Sequence, residues 1–378
     1  MPSPARHVYV HVPFCARRCS YCDFAIAVRA RVPVDEYVGA LERELAVRLG
    51  PAPAPADRPA TDTLYFGGGT PSRLGGDGVA RAVEVLRRWF AWDAAAEVTL
   101  EANPDDVTPE AARAWRAAGV TRASLGSQTF DPAALAWMRR AHGPDQVARA
   151  VDALRGAGLD DLSLDLIFAL PDAVARDWAG DVARALALGP THVSLYGLTV
   201  EPGTPLGRWA ERGEVREADE DRYADEFLAA HNLLGAAGFE HYEVSNFARP
   251  GRRARHNSAY WRGVPYLGLG PSAHGFDGQV RRWNAAAYAE WVRRLAAGCD
   301  PVAGDEALDE DARTAEAVYL GLRTTDGLVL EPGEPERTRR WADAGWAVVD
   351  GPRLRLTPAG WLRLDALAAD LTAFRSRS

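Results

Sequence analysis

YVHVPFCARRCSYCDF, residues 9–24, sets three cysteines in one short loop behind a hydrophobic strand. Cys15, Cys19 and Cys22 are spaced CxxxCxxC. The odd count decides the reading. Disulfides take cysteines in pairs, and a closed structural zinc site takes four ligands, commonly from two separated CxxC knuckles. Three thiolates on a four-iron cluster leave one iron without a protein ligand, free to hold a substrate or cofactor. A zinc knuckle completed by His11, or three buried unreactive thiols, is the plainer alternative for this loop taken alone.

The 378 residues are 47% hydrophobic and 25% charged, the balance of a folded chain with one large domain and one small one. No apolar run approaches the roughly 20 residues of a membrane span, and residues 1–5 carry no signal peptide, so a cytoplasmic protein is expected. Four cysteines, three of them crowded together, suit a reducing compartment in which thiolates serve a metal. A net charge of −8 argues against nucleic acid as a partner. All 44 basic residues are arginine. A Walker-type phosphate loop, a Schiff base and a catalytic lysine are thereby excluded.

Short β-type runs recur along the chain: VYVHV from Val8, TLYFGGG from Thr63, EVTLEANP from Glu97, RASLGSQTF from Arg122, LSLDLIFAL from Leu162 and HVSLYGLTV from His192. Amphipathic helical patterns alternate with them at 34–49, 78–90, 109–118, 145–157 and 176–188. The alternation predicts an α/β fold with a parallel sheet and helices outside it, whose ligands bind at the carboxyl ends of the strands. The Pro/Ala-rich stretch 50–60 reads as an exposed connection. The pattern turns loop-rich after Phe239, and a boundary is expected within 298–309. Beyond it, two helices, the hairpin-like WAVVDGPRLRLT and a last helix suggest a small winged-helix-like domain. It lacks a concentrated basic face, so packing or partner docking is its expected role.

Unusual residues fall at the strand ends. In GGGTP, Gly67, Gly68 and Gly69 strip β-carbons from a short arc before Thr70, either for a tight turn or so that a ligand lies on the backbone. Glu101 in EANP suits a cationic amine or a ribose hydroxyl. Gln128 ends the fourth strand and Arg140 follows it; both are equally readable as satisfied polar groups. Asp165 interrupts the apolar run LSLDLIFAL, which is costly unless the carboxylate meets a polar ligand or an arginine.

Further on, His256, Asn257, Tyr260 and Trp261 stand in HNSAYW behind Arg252, Arg253 and Arg255, and His274 stands in GPSAHG. A histidine among aromatics and arginines is what a haem requires: an axial nitrogen, flat walls and cations for the propionates. A histidine that merely makes hydrogen bonds is the ordinary alternative.

The CxxxCxxC loop resembles that of the radical S-adenosylmethionine superfamily. Taken together, YVHVPFCxxxCxxCDF, GGGTP, EANP, GSQTF, DLIFALP, EPGTPL, YEVSNFA, HNxxYW and GPSAHG resemble the HemW group, haem chaperones of that superfamily related to oxygen-independent coproporphyrinogen III oxidases. The resemblance implies a partial (β/α)6 TIM-like barrel over residues 1–240, a loop-rich extension over 241–300 and the winged-helix-like domain over 301–378. It further implies that Cys15, Cys19 and Cys22 hold a 4Fe-4S cluster. Tyr9, Gly68, Gly69, Thr70, Glu101, Gln128, Arg140 and Asp165 would contact S-adenosylmethionine, Tyr21 would pack on its adenine, and His256 is the leading candidate to ligate haem, with His274 the alternative. Haem would then pass to acceptors such as respiratory enzymes. By their charge, Arg17 and Arg18, between the cysteines, read either as groups that raise the cluster's potential or meet an acidic electron donor such as flavodoxin or ferredoxin, or as solvated side chains. Coproporphyrinogen dehydrogenases resemble the chain too, but carry a further cysteine two residues after the third and a longer N-terminal segment. Phe24 stands at that cysteine position here, and eight residues precede Tyr9, which points away from the decarboxylase. Cys299 reads as an ordinary thiol.

Overall fold

The computed structural model describes residues 6–174 and 176–376. The signal-peptide expectation at residues 1–5 lies outside the described residues. The strands, in chain order, are β1 (His7–Val12), β2 (Phe14–Cys15), β3 (Ala27–Val28), β4 (Thr63–Gly68), β5 (Glu97–Ala102), β6 (Arg122–Gln128), β7 (Asp161–Phe168) and β8 (His192–Gly197). They continue as β9 (Glu240–Glu243), β10 (Asn246–Ala248), β11 (Leu267–Leu269), β12 (His274–Phe276), β13 (Val280–Asn284), β14 (Val302–Ala307), β15 (Leu328–Val329), β16 (Ala347–Asp350) and β17 (Arg353–Leu356).

β1, β4, β5, β6, β7 and β8 lie side by side in that order, each parallel to the next. This is the expected α/β partial barrel, an open sheet that β11 extends in parallel beside β1 while β10 and β9 extend it antiparallel beyond β8. The two-residue side-chain period sorts the residues. Val8, Val10, Leu64, Phe66, Val98, Leu100, Ala123, Leu125, Leu162, Leu164, Val193 and Leu195 are buried in one continuous apolar core with the helices. The intervening positions are mostly polar and meet in register: Tyr9 with Tyr65, Tyr65 with Thr99, Glu101 with Ser124, Ser124 with Ser163, and Asp165 with Ser194. The sheet therefore has an apolar outer face and a polar inner one, and the polar face positions the site.

The helices Val34–Leu49, Gly75–Trp89, Pro109–Ala118, Pro144–Gly156 and Trp178–Ala187 follow the anticipated segments to within a few residues. No helix among the described residues is long and apolar enough to cross a membrane.

The expected divisions at 240/241 and 300/301 run through sheets: β9, β10 and β11 complete the large sheet, and β14 closes a three-stranded sheet with β12 and β13. A buried carboxylate joins this extension to the barrel. Glu44, fully buried, accepts hydrogen bonds from Arg48, the Gly270 amide, Asn284 Nδ2 and Trp291 Nε1. The C-terminal unit has the winged-helix-like order: helix Glu310–Arg323, β15, helix Glu334–Asp343, hairpin β16–β17 and helix Leu364–Arg375. Arg323 ties it to the barrel edge, 3.0 Å from buried Glu243 and 4.2 Å above the Trp261 ring.

Candidate functional site

The cysteine loop leaves the carboxyl end of β1 and is pinned at both ends and in the middle. Ala27 N–H donates to Pro13 O at 2.7 Å and Arg29 N–H to Cys15 O at 3.0 Å, forming the β2–β3 bridge. Ser20 donates its amide to Met138 O at 3.1 Å and accepts from the Leu206 amide at 2.8 Å. All three thiols face one cavity of about 540 Å³ at the carboxyl ends of the barrel strands. Burial raises the Cys22 thiol to about 11 and also raises Cys15; Cys19 and Cys15 add to the rise at Cys22, and Cys19 to that at Cys15. Among the described residues no three His, Cys, Asp or Glu side chains converge on a single ion position. His11, the fourth ligand of the zinc alternative, points elsewhere: its Nε2 is 3.0 Å from Ala25 O and its Nδ1 3.1 Å from the Tyr9 hydroxyl.

Gly68, Gly69, Thr70, Glu101, Gln128, Arg140 and Asp165 line the same cavity, as does Tyr21. Thr70 Oγ1 lies 3.3 Å from Cys15 Sγ. Gly68 has φ +113, and a β-carbon there would lie 2.6 Å from the His11 ring, so this glycine is required by both torsion and space. Its amide donates to Glu101 Oε2 at 3.1 Å, while Tyr65 donates to Oε1 at 2.7 Å. Burial pushes the Glu101 carboxyl up to about 7, and the charge of Asp165 adds to the rise. Asp165 is likewise raised by burial, with Ser124 Oγ donating to it at 3.0 Å.

The fit to a cluster and a sulfonium nucleotide rests on three observations. The donors facing the cavity include three thiols, the chemistry of an iron-sulfur ligand set. Gln128 holds a left-handed φ of 65 after a break in the β6–β7 register, and its buried Oε1 has no hydrogen-bond partner in the described protein. A strained residue beside a cavity, with a buried amide oxygen that the protein leaves unpaired, calls for a partner that the described residues do not supply. Arg140 spans the rim, donating to Asn103 Oδ1 at 2.6 Å, Gly126 O at 2.8 Å and Cys19 Sγ at 3.5 Å. The residues present fit both groups.

Two anticipated contacts lie outside the cavity lining. Tyr9 sits one layer beneath, its ring stacked 6.1 Å from Tyr65. His256 is 1% exposed, and both ring nitrogens are engaged: Nδ1 lies 2.7 Å from Thr63 Oγ1 and Nε2 2.8 Å from the Tyr260 hydroxyl. Its backbone amide is held by Glu97, and burial pulls its pKa down to about 3. Iron ligation at His256 would require breaking one of those two bonds inside a packed core. His274 is exposed on β12, its ring stacked 5.8 Å from Trp283. Cys299 is exposed and outside the cavity lining. Arg17 lines the cavity mouth, whereas Arg18 donates to Cys22 O at 3.2 Å.

Tyr65, Asn103, Ser124 and Tyr196 were not singled out by the motifs. Their signal was period: polar residues at every second position of strands whose other positions are apolar.

The sequence profile of the Radical SAM superfamily matches residues 9–185. The chain is 41% identical over 377 residues to "Heme chaperone HemW" of Mycobacterium tuberculosis strain H37Rv, covering 98% of this chain and 96% of that one. It is 38% identical over 284 residues to "Heme chaperone HemW" of Escherichia coli K12, covering 74% and 73%. Its fold is similar to the solved coproporphyrinogen III oxidase (HemN) of Escherichia coli, described as a Radical SAM enzyme, with a TM-score of 0.79 at 22% identity over 98% of this chain and 90% of that one.

Proposed function

The chain belongs to the HemW group of the radical S-adenosylmethionine superfamily, and on that premise we propose that it is a haem chaperone. In this reading Cys15, Cys19 and Cys22 hold a 4Fe-4S cluster, and haem is bound and passed to haem-requiring acceptors such as respiratory enzymes. The observation that carries the cofactor part is the cavity shared by the three thiols and the polar inner ends of β4 to β7.

When bound, the cluster with S-adenosylmethionine supplies one-electron chemistry at a sulfonium. The protein's own part is binding and orientation. Glu101 and Asp165 receive the ammonium and ribose hydroxyls, Gly68, Gly69 and Thr70 give close backbone approach, and Gln128 offers its Oε1. Arg140 fixes Cys19 and Asn103, Tyr21 packs on the adenine, and Tyr9 supports Tyr65 from below. Arg17 at the mouth offers a cation to an acidic donor of the flavodoxin or ferredoxin kind. The chaperone acts in the cytoplasm, consistent with thiols kept reduced for a metal.

The test is anaerobic reconstitution followed by haem titration and transfer. Iron and sulfide at about four each per chain, a shifted Soret band, and loss of that band when an apo-acceptor is added are the expected results. A colourless, iron-free product after oxygen-free preparation would overturn the reading. Oxidative decarboxylation of coproporphyrinogen is the competing activity; Phe24, 59% exposed at the cavity, occupies the position where that enzyme has a cysteine. Protoporphyrinogen accumulating in an anaerobic assay with S-adenosylmethionine and a reductant would establish it instead.

A further inference from the structure

A second cleft lies where the extension, the HNSAYW helix Arg255–Trp261 and the C-terminal unit meet. Tyr260, Trp261, Tyr266, His274, Phe276 and Arg281 line about 260 Å³. The pairing of β12 with β13 explains the gathering: His274 lies opposite Trp283 and Phe276 opposite Arg281, so all four share one face of the small sheet. Tyr260 and Trp261 close the other side, with the Tyr260 ring edge-on to Tyr266 at 4.6 Å. The helix Glu310–Arg323 adds Glu316, which pairs with Arg281 at the rim.

We propose that this cleft is the haem-docking site, with His274 as the axial ligand and Arg281 as the partner of a propionate. The assignment rests on the haem-chaperone reading and adds the site to it. Among the described residues neither ring nitrogen of His274 has a hydrogen-bond partner, in contrast to His256. Burial and the neighbouring Arg281 lower the His274 pKa, in the direction of the neutral ring that a metal ligand requires. Aromatic walls supply the flat apolar contact that a tetrapyrrole requires. Arg281 is held only by partly exposed groups and can exchange Glu316 for a carboxylate of the cargo. The volume falls below the roughly 300–1,000 Å³ of pockets that enclose a ligand, so in this proposal the cleft would take one edge of the macrocycle and leave the rest open. His256 becomes a positioning residue, holding the Tyr260 hydroxyl and through it one wall of the cleft.

Ferric haem titrated into the full chain tests this, read by the Soret band and the low-spin bands of nitrogen ligation. His274→Ala is expected to abolish the low-spin bands and weaken binding by about tenfold or more, with free imidazole restoring the bands. Arg281→Gln is expected to weaken binding with the bands unchanged, and His256→Gln, which loosens the Tyr260 wall, to weaken binding while the low-spin bands persist. His274 is exposed, so its replacement leaves folding intact, checked by circular dichroism. If the parent binds and His274→Ala gives the same spectrum and affinity, the site assignment falls while the chaperone reading stands. A parent protein that shifts no Soret band overturns both.

Discussion

Tyr65 and Gly68 grip the two oxygens of Glu101 from one side, and both donors are neutral. Burial pushes the carboxyl up to about 7, the charge of Asp165 adding to the rise, and the Tyr65 and Gly68 bonds with the charge of Arg122 offset only part of it. The folded state holds its proton more tightly than an unfolded chain at the ordinary 4.5, so the ligand-free protein loses this contribution as pH rises from 4.5 through about 7. An ammonium ligand reverses the preference, because it pairs with the ionised form. Affinity for S-adenosylmethionine is therefore expected to rise with pH and level off above 7, falling by about tenfold for each unit below it. Calorimetry from about pH 6 to about pH 8 checks this, with proton release on binding as a second signal. Glu101→Gln should weaken binding and flatten the profile; an unchanged slope in that variant would assign the titration elsewhere.

Gln128 offers a separate handle on the same cavity. Glycine at its φ of 65 relieves strain of about 1 kcal/mol but adds chain entropy of similar size, so Gln128→Gly should leave ligand-free stability within about 1 kcal/mol of the parent. The amide is lost, so the rise in thermal midpoint on adding S-adenosylmethionine should shrink. A variant with a full ligand-induced rise would show that the orphaned Oε1 faces the cavity without meeting the cofactor.

Around the thiols, the expected outcomes separate ligation from tuning. Alanine at Cys15, Cys19 or Cys22 should each abolish iron retention, while Cys299→Ser should keep it. Arg140→Lys keeps the charge but loses the planar fork that reaches Cys19, Asn103 and Gly126 together. Losing a hydrogen bond to sulfur makes a cluster harder to reduce, here on the order of tens of millivolts. Redox titration decides; a potential unchanged within error would leave Arg140 with a purely structural role.

The strands and outer helices were legible because a parallel sheet enforces its period locally: each of Val8, Leu64, Val98, Ala123, Leu162 and Val193 is apolar where the next residue inward is polar. The cysteine loop and the Gly68, Glu101 and Asp165 ends were legible for the same reason, since strand order puts them at one rim. His256 was not. A histidine beside Tyr260 and Trp261 has the composition of a ligand site, but its direction depends on Thr63, nearly two hundred residues away in sequence, bonding its Nδ1. His274 meets Arg281 only through the β12–β13 pairing, a tertiary fact that motif reading cannot supply. The joining of β9 to β11 to the large sheet was hidden for a similar cause: they are short, and sheet membership of so few residues is set by partners rather than by propensity.

Glu44 gives the last expectation, since four donors from separate parts of the chain end on one buried carboxylate. Two of them, the Gly270 amide and Asn284, bracket the loop and strands that carry His274. Removing one partner of a buried ionic cluster costs about 3–5 kcal/mol, because the stranded Arg48, itself 6% exposed, keeps its desolvation penalty. Glu44→Ala should lower stability by that order in urea unfolding. Glu44→Gln should also destabilise, since its amide nitrogen turns a donor toward a site already crowded with donors. Amide hydrogen exchange discriminates the consequence: protection should fall across 267–284 before it falls across the central strand β6. Haem affinity should weaken in the glutamine variant while iron content holds. Equal loss of protection in β6 and 267–284 would mean that Glu44 stabilises the barrel as a whole rather than the seam on which the extension is mounted.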